Sequence, residues 1–264
     1  MESSQFHLHA EIEEKHWWFL GRRQIMTSLV HRLFSPSKKI TILDIGCGTG
    51  GNIAALAEEF SCIGVDSSPE AIELARSRFP QVDFRCCAIH SPELETIGAQ
   101  ADLFLLMDVL EHVEDDSDFL SWILSIAKPG AYILLTVPAD MALWSEHDVS
   151  FGHYRRYDQP QLERLWAGLP VSAPLVSYYN SRLYPIVRTI RSFNRFRGQT
   201  SGDAGTDLRM PMAPVNRLLE KTLAGEGTRL LGMLEKREAR RFTSGVSLIA
   251  LLRREEGRIP SHVR

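Results

Sequence analysis

Ile42-Leu43-Asp44-Ile45-Gly46-Cys47-Gly48-Thr49-Gly50-Gly51 is the stretch on which the fold turns. A short apolar run ends in three alternate glycines, and an acid, Asp44, stands two positions before the first of them. Such a run has the length of a buried strand. Glycines directly after it let the backbone turn sharply and let a ligand come close to the main chain. A helix that begins at once offers free amides to a polar or anionic group. Asp66 stands 20 positions after Gly46. A carboxylate at the tip of the next strand can accept two hydroxyl protons from a ribose.

Outward from this loop, strands and helices alternate. Ile40–Ile45 reads as a strand, and Gly50–Phe60 as a helix with Ile53, Leu56, Ala57 and Phe60 on one side. Cys62–Asp66 is the next strand. Ser67-Ser68-Pro69-Glu70 then supplies a cap, a first-turn proline and an acid, opening a helix that runs to Arg78. Val82–Cys86, Leu103–Met107 and Tyr132–Val137 read as strands, Asp118–Ala127 as a helix and Lys128-Pro129-Gly130 as a turn. The strands are continuous apolar runs, which predicts an α/β, doubly wound, mostly parallel sheet covered on both faces. Before it, residues 8–34 read as one helical segment stopped by Pro36. After Pro138 the alternation breaks. Residues 139–158 form a polar, aromatic-rich loop, Pro160–Ala167 a helix, and Val171–Tyr179 and Gly245–Leu252 two further strands. Between those strands lie about 65 residues of basic helix and loop, with Gly198–Gly205 of linker character.

The loop fits two patterns. Gly46, Gly48 and Gly51 spell G-x-G-x-x-G, a dinucleotide signature that is weak alone. Asp44, Gly46, Gly48 and Gly50 spell D-x-G-x-G-x-G. Together with GVDSSPEAIELAR (64–76), ADLFLLMDVLEHV (101–113) and AKPGAYILLTVP (127–138), this resembles the class I S-adenosylmethionine-dependent methyltransferases over roughly residues 40–140. The resemblance implies a Rossmann-like, seven-stranded sheet with its last strand antiparallel. It implies an N-terminal helical lid over residues 1–38, a cofactor-binding core over 39–180, a basic helical insertion or cap over 181–243, and the last strand and tail over 244–264. The implied cofactor is S-adenosylmethionine. Its implied contacts are Asp44, Gly46, Cys47, Gly48, Gly50, Asp66, Ser67, Met107 and Asp108, with Arg22 or Arg23 pairing with the methionine carboxylate. Asp44 would order the loop or reach the methionine amino group. Cys87 and Ala88 stand where the family often carries an acid–alanine pair beside the adenine, so main chain and apolar packing would serve there.

Asp108-Val109-Leu110-Glu111-His112 ends the fourth strand beside the expected methyl position, and three readings of it stay open. His112 could take a proton from an acceptor hydroxyl. Asp108, Glu111 and His112 could hold a divalent cation, as the similar segment of ubiquinone-pathway O-methyltransferases suggests. The two acids could equally charge a helix start while His112 packs behind the cofactor. The metal therefore stays unknown. Residues 144–148 (WSEHD) and 152–157 (GHYRRY) resemble the H-D-x-x-x-G-H-x-R-R-Y signature of a bacterial subset of these enzymes, on the acceptor side. They add His147 and His153 to the catalytic candidates. Trp18, Trp144, Asp148, Arg155, Arg156 and Tyr157 are the acceptor-binding candidates. A merely solvated connection is the plainer reading of that loop. The expected reaction is methyl transfer, at oxygen before nitrogen or carbon, to a small or lipid-like acceptor. The rival readings are an NAD-dependent dehydrogenase and a non-catalytic, cofactor-binding docking protein.

The remaining composition sets bounds. With 264 residues, 44% hydrophobic and 24% charged, the chain suits one domain with an insertion, not a collagen, a coiled-coil array or a disordered chain. Four cysteines without C-x-x-C spacing fit a reduced, cytoplasmic setting. No apolar run reaches the roughly 18 residues of a spanning helix. The net charge of −3 hides an asymmetry. Residues 1–181 carry 13 Lys/Arg and 25 Asp/Glu; residues 182–264 carry 17 Lys/Arg and 8 Asp/Glu. Arg182–Arg197 reads as an amphipathic basic helix, with Leu183, Ile186, Val187, Ile190 and Phe193 on one face. It predicts a cap over the acceptor pocket or a peripheral contact with an anionic membrane. No nucleic-acid partner is expected, because no aromatic stacking module accompanies the charge.

Overall fold

A computed structural model describes residues 3–196, 209–236 and 240–259. The linker expected at Gly198–Gly205 lies outside them. The chain opens with α1 (Ser3–Ile12) and α2 (Trp17–Leu33). It then alternates through β1 (Ser37–Ile45), α3 (Gly51–Ala54), β2 (Phe60–Asp66), α4 (Pro69–Arg78), β3 (Asp83–Cys86), α5 (Pro92–Gly98), β4 (Leu103–Met107), α6 (Asp116–Ile126) and β5 (Tyr132–Pro138). Two short helices, α7 (Glu146–Ser150) and α8 (Gln159–Arg164), precede β6 (Val171–Tyr179). Among the described residues, α9 (Tyr184–Phe196), α10 (Ala213–Ala224) and α11 (Gly227–Leu234) lie between β6 and β7 (Ser247–Arg254).

The seven strands form one sheet in the order β3-β2-β1-β4-β5-β7-β6. β7 runs antiparallel to both neighbours, and the other pairings are parallel. Strand order reverses between β1 and β4, and a crevice opens at the strand C-termini there. All five residues of β4 are buried, because alternate side chains enter two cores. Leu103, Leu105 and Met107 pack with Ile25, Met26, Leu29 and Val30 of α2 and with Ile53, Leu56 and Ile72. Phe104 and Leu106 pack with Leu94 and Ile97 of α5 and with Phe119, Leu120, Ile123 and Leu124 of α6.

Two expected helices differ. The segment over residues 8–34 breaks after Ile12, where the His16 amide bonds back to the Ile12 carbonyl at 2.8 Å. His16 adopts an extended backbone, and its Nδ1 accepts from the Trp18 amide at 3.3 Å. Histidine is not one of the favoured cap residues, so no cap was legible. The helix expected over Gly50–Phe60 is a single turn. Its continuation winds through three-residue turns, with Leu56, Ala57 and Glu59 donating to Ile53, Ala54 and Leu56. That tighter winding delivers Phe60 directly into β2, opposite Ser37 of β1.

The late helices pack against the early ones. Asn216 of α10 accepts from the Trp17 amide at 2.9 Å and donates to the Lys15 carbonyl at 2.8 Å. Gly21 lets α10 sit close: a Cβ there would lie 2.9 Å from Leu223 Cδ2. Among the described residues, no helix is long and apolar enough to cross a membrane.

Candidate functional site

The glycine loop leaves β1 with φ of +72° at Gly46, +52° at Gly48 and +87° at Gly50. Gly50 needs its glycine twice over. Its φ disfavours other residues, and a Cβ would fall 2.6 Å from Phe84 Cζ. The amides of Gly46 and Cys47 donate to the Val65 carbonyl at 2.8 and 3.0 Å, which ties the loop to β2. At the tip of β2, Asp66 Oδ2 accepts from the Gly48 amide and Oδ1 from the Ser68 amide, both at 2.9 Å. The carboxylate is thus fixed beside the loop, and each oxygen keeps a further lone pair.

Asp44 lies beneath the loop at 1% exposure, and neither carboxyl oxygen has a hydrogen-bond partner among the described residues. Burial pushes its pKa up to about 8, against the pull of the nearby Arg22 charge. An acid raised in the folded state holds its proton longer there than in the unfolded chain. Its ionisation therefore costs stability from about pH 4 upward and reaches full cost near pH 8. Asp44→Asn should remove that cost. We expect its melting temperature to come close to wild type at pH 4 and to exceed it by about 4 °C or more at pH 8. A difference that stays constant with pH would show that the group does not titrate in this way.

A cavity of about 440 Å³ opens between the glycine loop, α1, α2, α9 and the residues following β4 and β5. Of the residues singled out in the sequence, Trp18, Arg22, Gly46, Cys47, Gly48, Met107, Asp108, His112, His147, His153 and Arg156 line it. Arg22 is 5% exposed, forms an ion pair with Asp108 and stacks 4.2 Å from the Trp18 ring centroid. Its Nε has no partner among the described residues. Asp108 holds φ +61° at the end of β4 and accepts from Thr136 Oγ1 at 3.0 Å.

Behind the far wall sits a carboxylate–imidazole pair. His153 Nδ1 lies 2.9 Å from Asp148 Oδ1, and that oxygen also accepts from Arg156 Nε at 2.8 Å. Asp148 Oδ2 accepts from the Ser145 amide at 2.9 Å. Burial alone would raise the Asp148 carboxyl, but the His153 bond and the Arg156 charge outweigh it and hold the group well below the usual carboxylate range. The His112 ring stands edge-on to His153 with centroids 4.7 Å apart. Burial, reinforced by His153, lowers His112 to about 3, so its ring is neutral at ordinary pH. His147 stacks 4.4 Å from Phe151. Glu111 is fully buried, and burial together with Asp108 raises its carboxyl well above the usual range.

The other candidates lie off the cavity wall. Arg23 turns to the Glu13 carbonyl at 3.1 Å. Gly50 packs on Phe84, and Asp66 and Ser67 sit at the outer lip of the loop. Cys87 is buried, with its amide on the Asp66 carbonyl at 3.0 Å, and Ala88 is exposed. Trp144 is half-buried beside the turn at Met141. Arg155 pairs with Asp116 at 2.7 Å, and Tyr157 Oη donates to Asp116 Oδ2 at 2.6 Å. Sequence reasoning missed, among other cavity residues, His9, Glu13 and Asn180, while Ile190 lies on the helix face expected to cap the pocket. Glu13 accepts from Thr49 Oγ1 at 2.8 Å and pairs with Arg78, pinning the end of α1 to the glycine loop. Asn180 sits at φ +54° with Oδ1 unpartnered among the described residues. No local pattern marks His9, Glu13 or Asn180, because each acquires its place through contacts distant in sequence.

This topology, with its reversed seventh strand and its crevice at the switch point, is that of the class I methyltransferases. The chain belongs to the family defined by a methyltransferase domain, whose model matches residues 19–181. A trans-aconitate 2-methyltransferase from Azoarcus sp. strain BH72 is 28% identical over 170 residues, 62% of this chain and 64% of that protein. A mitochondrial ubiquinone biosynthesis O-methyltransferase from Schizosaccharomyces pombe is 38% identical over 104 residues, 36% of each chain. The chain thus spans less than two thirds of the length of these curated relatives. The plantazolicin methyltransferase BpumL, solved in complex with S-adenosylhomocysteine, shares the fold at a TM-score of 0.56 and 17% identity, covering 96% of this chain and 90% of that one.

Proposed function

We propose that the protein is an S-adenosylmethionine-dependent methyltransferase that methylates an oxygen of a small, lipid-like acceptor. The observation that carries this reading is His153, held by the buried Asp148, on the wall of the same cavity as the glycine loop. S-adenosylmethionine, when bound, supplies a methyl group already activated by its sulfonium, so the protein need only align, desolvate and take up a proton. The residues present suit that molecule. Asp66 has lone pairs to spare for two ribose hydroxyls, and Gly48, with nothing within 4 Å of where a Cβ would stand, leaves the main chain open to close approach. Arg22, not Arg23, reaches the cavity and holds the methionine carboxylate, since Arg23 is tied to Glu13. Trp18 covers the site and excludes water. His153 receives the acceptor's proton. Asp148 holds its ring in one orientation and steadies the positive charge that forms. His112, neutral and a poor proton acceptor, packs beside it. Phe6, Phe151, Val187 and Ile190 give the acceptor an apolar wall. The loop after β5 resembles the H-D-x-x-x-G-H-x-R-R-Y signature on this reading, with Asp148 and His153 as its working pair.

Calorimetric titration should show S-adenosylhomocysteine binding and no heat with NAD. Incubation with methyl-labelled S-adenosylmethionine and fractionated cell extract should move label into an organic-soluble product. Binding of S-adenosylhomocysteine without label transfer into any fraction would overturn the catalytic reading.

A further inference from the structure

We propose that α9 seats the protein on an anionic lipid bilayer and opens the cavity mouth onto that surface. The inference rests on the methyl-transfer reading only for what enters the cavity; the docking itself is read without it. Large apolar side chains are exposed along one line of α9: Ile186 is 58% exposed, Ile190 54% and Phe193 54%. At about 100° of turn per residue, positions 186, 190 and 193 fall within roughly 60° of one another. Val187 and Arg191 lie round the helix on the side that lines the cavity. Ile190 stands between the two sides: it is half exposed, and it also lines the cavity. One helix is therefore both wall and outer surface, and its apolar line runs over the rim.

Further large apolar side chains are exposed on other elements. Met141, on the turn against which Arg191 donates to the Leu143 carbonyl, is 51% exposed. Beyond the undescribed residues 197–208, Met212 is 77% exposed and Leu218 of α10 is 66% exposed. Exposed apolar side chains of this size along one helix mark a docking surface. Charge decides its occupant. Residues 182–264 carry 17 Lys/Arg against 8 Asp/Glu, whereas residues 1–181 carry 13 against 25. On α9 itself Arg188 is exposed on the side away from that line and Arg191 turns to the Leu143 carbonyl, so the positive charge belongs to the segment as a whole. An apolar stripe on a basic segment lies in the interface of a membrane that carries anionic headgroups. Without a spanning helix among the described residues, such contact is peripheral and reversible. An acceptor with an apolar tail would then reach the cavity along Ile190 without crossing water.

The test uses the full chain and extruded vesicles, either pure phosphatidylcholine or phosphatidylcholine with phosphatidylglycerol. Co-sedimentation at low salt should retain the protein on the mixed vesicles at least tenfold better than on the neutral ones, and added salt should weaken it. The double variant Ile186→Ser, Phe193→Ser alters exposed positions off the cavity wall. It should lose at least tenfold in vesicle partitioning while binding S-adenosylhomocysteine like wild type. Equal partitioning to both vesicle types, or a double variant that still sediments fully, would overturn the proposal. So would a concentration-dependent dimer in sedimentation velocity that the same double variant abolishes, because the face would then belong to a second copy. Failure of methyl transfer with vesicle binding intact would count against the catalytic reading alone.

Discussion

Asp66→Ala should weaken S-adenosylhomocysteine binding by two orders of magnitude or more in calorimetric titration. The carboxylate is fixed by two amides, Gly48 and Ser68, and offers its remaining lone pairs at the lip of the loop. Hydrogen bonds to a charged group contribute about 1.5–3 kcal/mol each, and two ribose hydroxyls would lose theirs together. The variant also removes the acceptor for the Gly48 amide, so part of the loss comes from a looser loop. Asp66→Asn separates the two effects. It keeps a carbonyl oxygen that can hold the Gly48 amide but gives up the charge, and it should fall between wild type and the alanine variant. Unchanged affinity in Asp66→Ala would detach the glycine loop from nucleoside recognition and remove the basis of the proposed cofactor.

The second large effect is on turnover. His153→Gln should lower kcat by about a hundredfold to ten-thousandfold, the usual range for losing a positioned base. Its affinity for S-adenosylhomocysteine should stay within threefold of wild type, because on the proposed reading the ring serves the acceptor and not the cofactor. Asp148→Asn should lower kcat less, since the imidazole remains, but it should also cost stability. Arg156 is 4% exposed and would lose the carboxylate that balances it. If His153→Gln retains full kcat, the acceptor atom needs no proton removed at this position, and a nitrogen arriving neutral becomes the better reading.

The sheet was readable because β1, β4 and β5 are continuous apolar runs between turn signals. Leu103–Met107 and Val171–Tyr179 fall where the sequence placed them. The seven-strand count and the antiparallel run of the last strand followed from resemblance, not from the residues themselves. Element ends were less legible where the deciding bond is unusual, as with His16 capping α2 through its ring. α5 was missed although Ser91 caps it and Pro92 opens it. Its seven residues bury only Leu94, Ile97 and Gly98, too few to show a period. At the site, residues in a local pattern could be named: the glycines, Asp66, and the histidines after β5. Choosing between Arg22 and Arg23 needed the fold. Adjacent residues on a helix point about 100° apart, and only packing decides which one meets the cavity. Glu13 was out of reach because its partners, Thr49 and Arg78, are 36 and 65 positions away.

The bonds from Asn216 to Trp17 and Lys15 span 199 and 201 residues. Biosynthesis gives that span a meaning in time. As the ribosome delivers the chain, the glycine loop and its strands can assemble early, yet the segment bearing Trp18 and Arg22 lacks its clasp until α10 has emerged. The glycine loop and its strands can therefore stand complete well before they have a roof, and the roof is fastened by a segment synthesised 199 to 201 residues after it.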